Sequence, residues 1–145
     1  MQAHDVPAYL ARQGEKLQSG YNAIARKLGI SDYTRCNGHP SRTIVVFDNW
    51  AGDPLLMKSL VQQELIKRGI LWSGFHNVSL SHGDPDVDYT LDAYAEVLSI
   101  LKQAVDARVL EEVLRGEPVQ PVFRKTTGFN SKPRADRVVL AGEGR

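Results

Sequence analysis

Four polar side chains lie close together in the chain and have the chemistry to meet a ligand: Ser73, His76, Asn77 and Ser79, next to Trp72. An imidazole, an amide and two hydroxyls offer both donors and acceptors. They suit two roles. They can satisfy backbone groups of a turn, or face a pocket completed by other parts of a larger protein. His82 stands close enough in sequence to approach His76 across a strand, but a third close ligand is missing, so no zinc site is expected. Asp84, Asp86 and Asp88 lack the later bidentate glutamate of a calcium loop, and a helix N-terminus accounts for them. Cys36 is the single cysteine. It excludes an internal disulfide framework and reads as a small buried or loop thiol. No phosphate-cradling G-x-x-x-x-G-K-[ST], G-x-G-x-x-G or H-E-x-x-H occurs, and no nucleophile elbow accompanies the serines.

Several elements must position these residues. Asp5 to Leu28 carries Leu10, Leu17, Tyr21, Ile24 and Leu28 on one stripe, which predicts a long helix with Asp5 as cap and Gly29 as stop. Ser31 to Ser41 is rich in turn formers and reads as a loop. Thr43-Ile44-Val45-Val46-Phe47 is a β-branched and aromatic run, expected as a strand buried on both faces. Asp53-Pro54 opens a second helix with Leu56, Leu60, Val61 and Leu65 inward, ending at Gly69. Ile70-Leu71-Trp72 and Asn77 to Ser81 read as two more strands, joined by a turn at Gly74. Asp84 is the expected cap of a third helix over about Pro85 to Val105. Its stripe of Val87, Leu91, Tyr94, Leu98, Leu101 and Val105 is the strongest periodic signal in the chain. A short continuation, with a break near Asp106, runs to Leu114.

The expected order is α-β-α-β-β-α. It makes an α+β fold: a small three-stranded, at least partly antiparallel sheet packed on helices. From Glu117 onward no apolar period is visible. Arg124, Lys125, Lys132, Arg134 and Arg137 lack interleaved aromatics and read as a solvated tail rather than a nucleic-acid arm. Val138-Val139-Leu140 is a candidate edge strand.

The 145 residues are one domain's worth. A net charge of +1 gives no global field for nucleic acid. The first residues hold no apolar signal segment and no run approaches the ~20 apolar residues of a membrane span, so no membrane partner is expected and the cytoplasm is the expected compartment.

Four segments carry a resemblance to a family. They are Leu10 to Gly20, Gly38-His39-Pro40-Ser41-Arg42-Thr43, Leu65 to Leu71, and His76 to His82 with Asp86-Val87-Asp88-Tyr89-Thr90-Leu91. Over about residues 8 to 124 the chain resembles the C-terminal small domain of class III aminotransferases, which are fold type I pyridoxal-phosphate enzymes. It is most similar to the glutamate-1-semialdehyde 2,1-aminomutase branch. The resemblance implies a lead-in helix over 1–29, the small domain over 30–115 and an extended or flexible tail over 116–145. It implies a parent aminotransferase or isomerase, a homodimer, that uses pyridoxal phosphate. The cofactor lysine would lie in a large domain ahead of Met1, because none of Lys16, Lys27, Lys58, Lys67, Lys102, Lys125 or Lys132 matches it. This chain alone would then hold no cofactor and no catalytic residue. Ser73, His76, Asn77 and Ser79 would be its substrate-pocket residues. The strand before the last helix carries no arginine, which departs from the plain amino-acid transaminases and agrees with the aminomutase-like branch. The alternative is a free-standing α+β ligand-binding or oligomerisation module.

Overall fold

The structure is a computed structural model and describes residues 5–120. The candidate strand at Val138-Val139-Leu140 lies outside them. Helix α1 spans Val6–Leu28. Asp5 accepts the Ala8 N–H at 3.2 Å, and Gly29 ends the helix at φ 71°. Leu17, Tyr21 and Ala25 are buried along its inner stripe.

The first difference from expectation follows α1. Residues 31–41 are not all loop: strand β1 spans Thr34–His39 and pairs antiparallel with β2, Arg42–Phe47. Only Thr34 and Cys36 of β1 turn inward, so its sequence has no apolar alternation. Tertiary pairing makes it a strand. Cys36 lies opposite Val45, and its outer edge is closed by α1. There the Asn22 amide accepts the Cys36 N–H at 2.8 Å and donates to the Cys36 carbonyl at 2.9 Å. The Gln18 amide donates to the carbonyls of Cys36 and Gly38. An otherwise open sheet edge is thereby covered.

Strand β2 is buried on one face only, through Thr43, Val45 and Phe47, whereas Arg42 and Ile44 are exposed. A three-stranded antiparallel sheet with helices on one side leaves its other side to solvent. Helix α2, Pro54–Lys67, starts where Asp53 accepts the Leu55 N–H at 2.8 Å and stops before Gly69 at φ 76°. Met57, Leu60, Val61 and Leu65 are buried, and Leu56 is half-buried.

Ile70-Leu71-Trp72 forms no strand, because no neighbouring strand meets it. Leu71 is 91% exposed while Trp72 is buried. Strand β3 is Phe75–Asn77, not Asn77 to Ser81, and it pairs antiparallel with β2 from Ile44↔Phe75 to Arg42↔Asn77. The ladder ends where β2 begins, and Ser79 to His82 then closes a turn. The order is therefore α-β-β-α-β-α-α, with the hairpin at Pro40-Ser41 instead of Gly74. The sheet order β1-β2-β3 is antiparallel throughout, and the fold is α+β.

Helix α3 runs Asp84–Ala107. Its cap position is Gly83, not Asp84. Asp86 supplies the reach-back bond by accepting the Gly83 N–H at 2.9 Å, which frees Asp84 for contacts to α1. Arg108 at φ 59° breaks the helix, and α4, Leu110–Val113, follows. Tyr21, Leu60, Leu65, Tyr94, Leu98 and Leu101 meet Cys36, Val45 and Phe47 in one core.

Gly14 is buried where α1 crosses the hairpin turn. A Cβ there would stand 1.6 Å from the Pro40 carbonyl oxygen. Alanine favours a helix interior over glycine by ~1 kcal/mol, yet the clash is with backbone. Gly14→Ala is expected to lower stability by about 2 kcal/mol or more, read as a lower denaturant midpoint at unchanged slope. A stabilised variant would show that α1 does not press on the turn.

Candidate functional site

The candidate residues gather at the β3 edge, beside the first turns of α3. Helix α1 holds that region from below. Tyr9 donates to the His82 carbonyl at 2.8 Å, Gln13 donates to Asp84 at 3.1 Å, and Lys16 pairs with Asp88 at 2.7 Å and Asp84 at 3.4 Å. The Gln13 amide, then the Lys16 ammonium, holds the Asp84 carboxyl below its usual range.

Between β3, the 70–73 segment and α3 lies a cavity of about 260 Å³. Ser73, His76 and Asn77 line it together with Trp72, His82 and Tyr94. Ser79 does not line it. Its N–H and hydroxyl both bond the His82 ring at 2.9 Å, so it orients a lining residue instead. Ser73 and Asn77 are exposed, whereas His76 is 7% exposed.

His76 is held at both nitrogens. Nδ1 lies 2.8 Å from Thr43 Oγ1 and Nε2 lies 2.6 Å from the Tyr94 hydroxyl. Cys36 Sγ is 3.7 Å from Nδ1. Tyr94 meets Tyr21 edge-to-face at 4.9 Å, and the Tyr21 hydroxyl shares a 2.7 Å hydrogen bond with Thr34. A neutral imidazole offers one donor and one acceptor, which this pair of hydroxyls satisfies completely. Burial pushes the His76 pKa down to about 4 and pushes the Tyr94 and Cys36 values up. These three groups are thus uncharged near pH 7, while Asp86 places a carboxyl group in the same lining.

Trp72 is 6% exposed, and its indole N–H lies near the Tyr94 hydroxyl without reaching a hydrogen bond. That buried N–H has no hydrogen-bond partner among the described residues. His76 and His82 do not share a ligand site, since each has its own partners. Among the described residues no group of three or more His, Cys, Asp or Glu is placed to hold a metal ion. The cavity lining also contains no lysine for a Schiff base and no arginine for a phosphate. These residues do not fit pyridoxal phosphate by themselves. Sequence reasoning placed Tyr94 and Thr43 in core and strand alone. The available signal was that a buried tyrosine hydroxyl needs a partner.

A similar fold occurs within two solved structures. One is an omega-transaminase from Sphaerobacter thermophilus, with TM-score 0.57 and 22% identity over 64% of this chain and 24% of that one. The other is the FumI protein of Sphingopyxis sp. MTA144, solved in its pyridoxal-phosphate internal aldimine form, with TM-score 0.60 and 20% identity over 73% of this chain and 25% of that one. The chain spans about a quarter of the length of these structures. No protein-family model matches it, and no curated protein does. Among the described residues no helix is long and apolar enough to cross a membrane.

A buried histidine with a depressed pKa destabilises the fold in acid. The unfolded imidazole binds its proton near pH 6.5, the folded one only near 4. The contribution of His76 is therefore complete above pH 6.5 and declines as pH falls toward 4, by about 3 kcal/mol across that window. Denaturant midpoints measured from pH 7 to 4 are expected to fall more steeply for the parent chain than for His76→Gln. Parallel slopes would show that His76 accepts a proton within the fold.

Proposed function

We propose that this chain is the C-terminal small domain of a pyridoxal-phosphate-dependent class III aminotransferase of the glutamate-1-semialdehyde aminomutase-like branch. It closes one side of an active site whose cofactor a separate large domain holds, in a parent that is a homodimer. The observation that carries the reading is a transaminase-like fold whose polar cavity is half-built. Pyridoxal phosphate, when held by the large domain, supplies the electron sink for amino transfer. This chain supplies the Asn77 amide and the Ser73 hydroxyl to a bound substrate. His76 adds no charge to that wall near pH 7.

Support comes from the cavity's surroundings. Leu71 is 91% exposed, Leu80 57% and Phe75 38%. Apolar side chains at a cavity mouth suit contact with another folded body. The absence of arginine from the cavity lining agrees with a branch that places none on the strand before α3.

Two measurements test the proposal. Adding pyridoxal phosphate to the purified chain is expected to leave the spectrum of free cofactor. A stable aldimine band lost on replacing one particular lysine would overturn it. Gel filtration is expected to show concentration-dependent self-association, relieved by Leu71→Ser with Leu80→Ser. A coding sequence that begins at Met1 with nothing upstream would favour the free-standing module.

A further inference from the structure

A second cleft, of about 750 Å³, lies at the opposite end of the molecule, between the 49–52 turn, the end of α3 and α4. Asp32, Asp106, Glu111 and Glu112 line it, against one guanidinium, Arg108. Asp106 pairs with Lys102, but Asp32, Glu111 and Glu112 have no ion-pair partner among the described residues. Tyr33 also lines the cleft. It is 5% exposed, and its hydroxyl makes no hydrogen bond among the described residues. Trp50 lies edge-to-face on Tyr33 at 5.8 Å and is 64% exposed. Unpaired carboxylates, an idle buried hydroxyl and an open indole face together suit a guanidinium or ammonium group.

The path of the chain points to the occupant. After α4 the backbone doubles back along α2. The Arg115 N–H donates to the Gln63 side chain, and the Val119 N–H donates to the Ser59 hydroxyl at 2.8 Å. Gln63, Ser59 and Leu56 fall on one ridge of α2 at spacings of four and three, and Leu56 lines the acidic cleft. From Ser59 to Leu56 is about 4.5 Å of helix rise. Five extended residues beyond Val119 reach up to about 17 Å. Residues 121–145 hold six Lys and Arg against two Asp and Glu.

We propose that residues 122–134 of this chain, which lie outside the described residues, dock into the acidic cleft in cis through Arg124, Lys125 and Lys132. Exposed ion pairs are individually weak. A short tether, however, holds the segment at an effective concentration on the order of millimolar, so a few such contacts suffice. The Trp50 ring receives a cation, and the Tyr33 hydroxyl gains a partner.

The full chain tests this through acrylamide quenching of tryptophan fluorescence, since Trp72 is buried and Trp50 is open to the cleft. The tail reversal R124E/K125E/K132E and the cleft neutralisation D32N/E111Q/E112Q are each expected to raise the quenching constant about twofold. Molar salt should do the same to the parent chain. The two sets of changes should not add when combined, as for partners in one contact. Far-UV circular dichroism controls for folding. Equal quenching of the parent and both variants, or additive effects, would overturn the proposal. Shielding that depends on protein concentration would also overturn it, placing the segment on a second copy.

Discussion

The fold turns on one buried hydrogen bond, between His76 Nε2 and the Tyr94 hydroxyl. It ties the shortest strand, β3, to the longest helix, α3. The other imidazole nitrogen bonds Thr43 on β2, and Tyr94 leans on Tyr21 of α1, whose hydroxyl bonds Thr34 of β1. One chain of polar contacts therefore touches all three strands and both long helices. Each member is satisfied, which keeps a buried polar network from costing its desolvation. Removing one member leaves the next as an orphan inside the core.

That network also decides what the neighbouring cavity offers. Burial disfavours the protonated form of His76, so near pH 7 it meets the cavity as a neutral ring. What Ser73 and Asn77 offer there is an exposed hydroxyl and an exposed amide. The far end of the molecule is built on the opposite principle. There Asp32, Glu111 and Glu112 line an open cleft with no ion-pair partner among the described residues, and charge rather than shape sets what will bind.

The helices were legible because their signals are local. The seven, four, three and four spacings of α1 and the stripe of α3 match their buried faces, and the proline-capped start of α2 lies at Asp53. The strands were not, because their cause is distant. Thr34-Arg35-Cys36-Asn37 has no apolar alternation and becomes a strand through β2 on one side and the Asn22 and Gln18 amides on the other. Ile70-Leu71-Trp72 has strand-like residues and no partner. The cap of α3 moved by one residue because Asp84 is drawn to Gln13 and Lys16, leaving Asp86 to bond Gly83. Ser73, His76 and Asn77 do share a cavity, but Ser79 acts on His82, and Tyr94 entered from a stripe that reads as core.

The placement of α1 explains why one small sheet serves this arrangement. β1 is sealed along its outer edge by α1, and the turn that follows it is pressed by the same helix at Gly14. Helix α1 also holds Asp84, Asp88 and the His82 carbonyl, and reaches the cavity floor itself at Leu17. The sheet edge and the cavity floor are thus registered by one rigid rod. The free edge of the sheet is left to β3, whose three residues are too short to recruit another strand. What β3 presents instead is side chain: Phe75 and Asn77 outward and His76 inward, flanked by Leu71 and Leu80. A surface of this composition, polar at its centre and apolar at its margin, has the anatomy of half an interface rather than of a finished pocket.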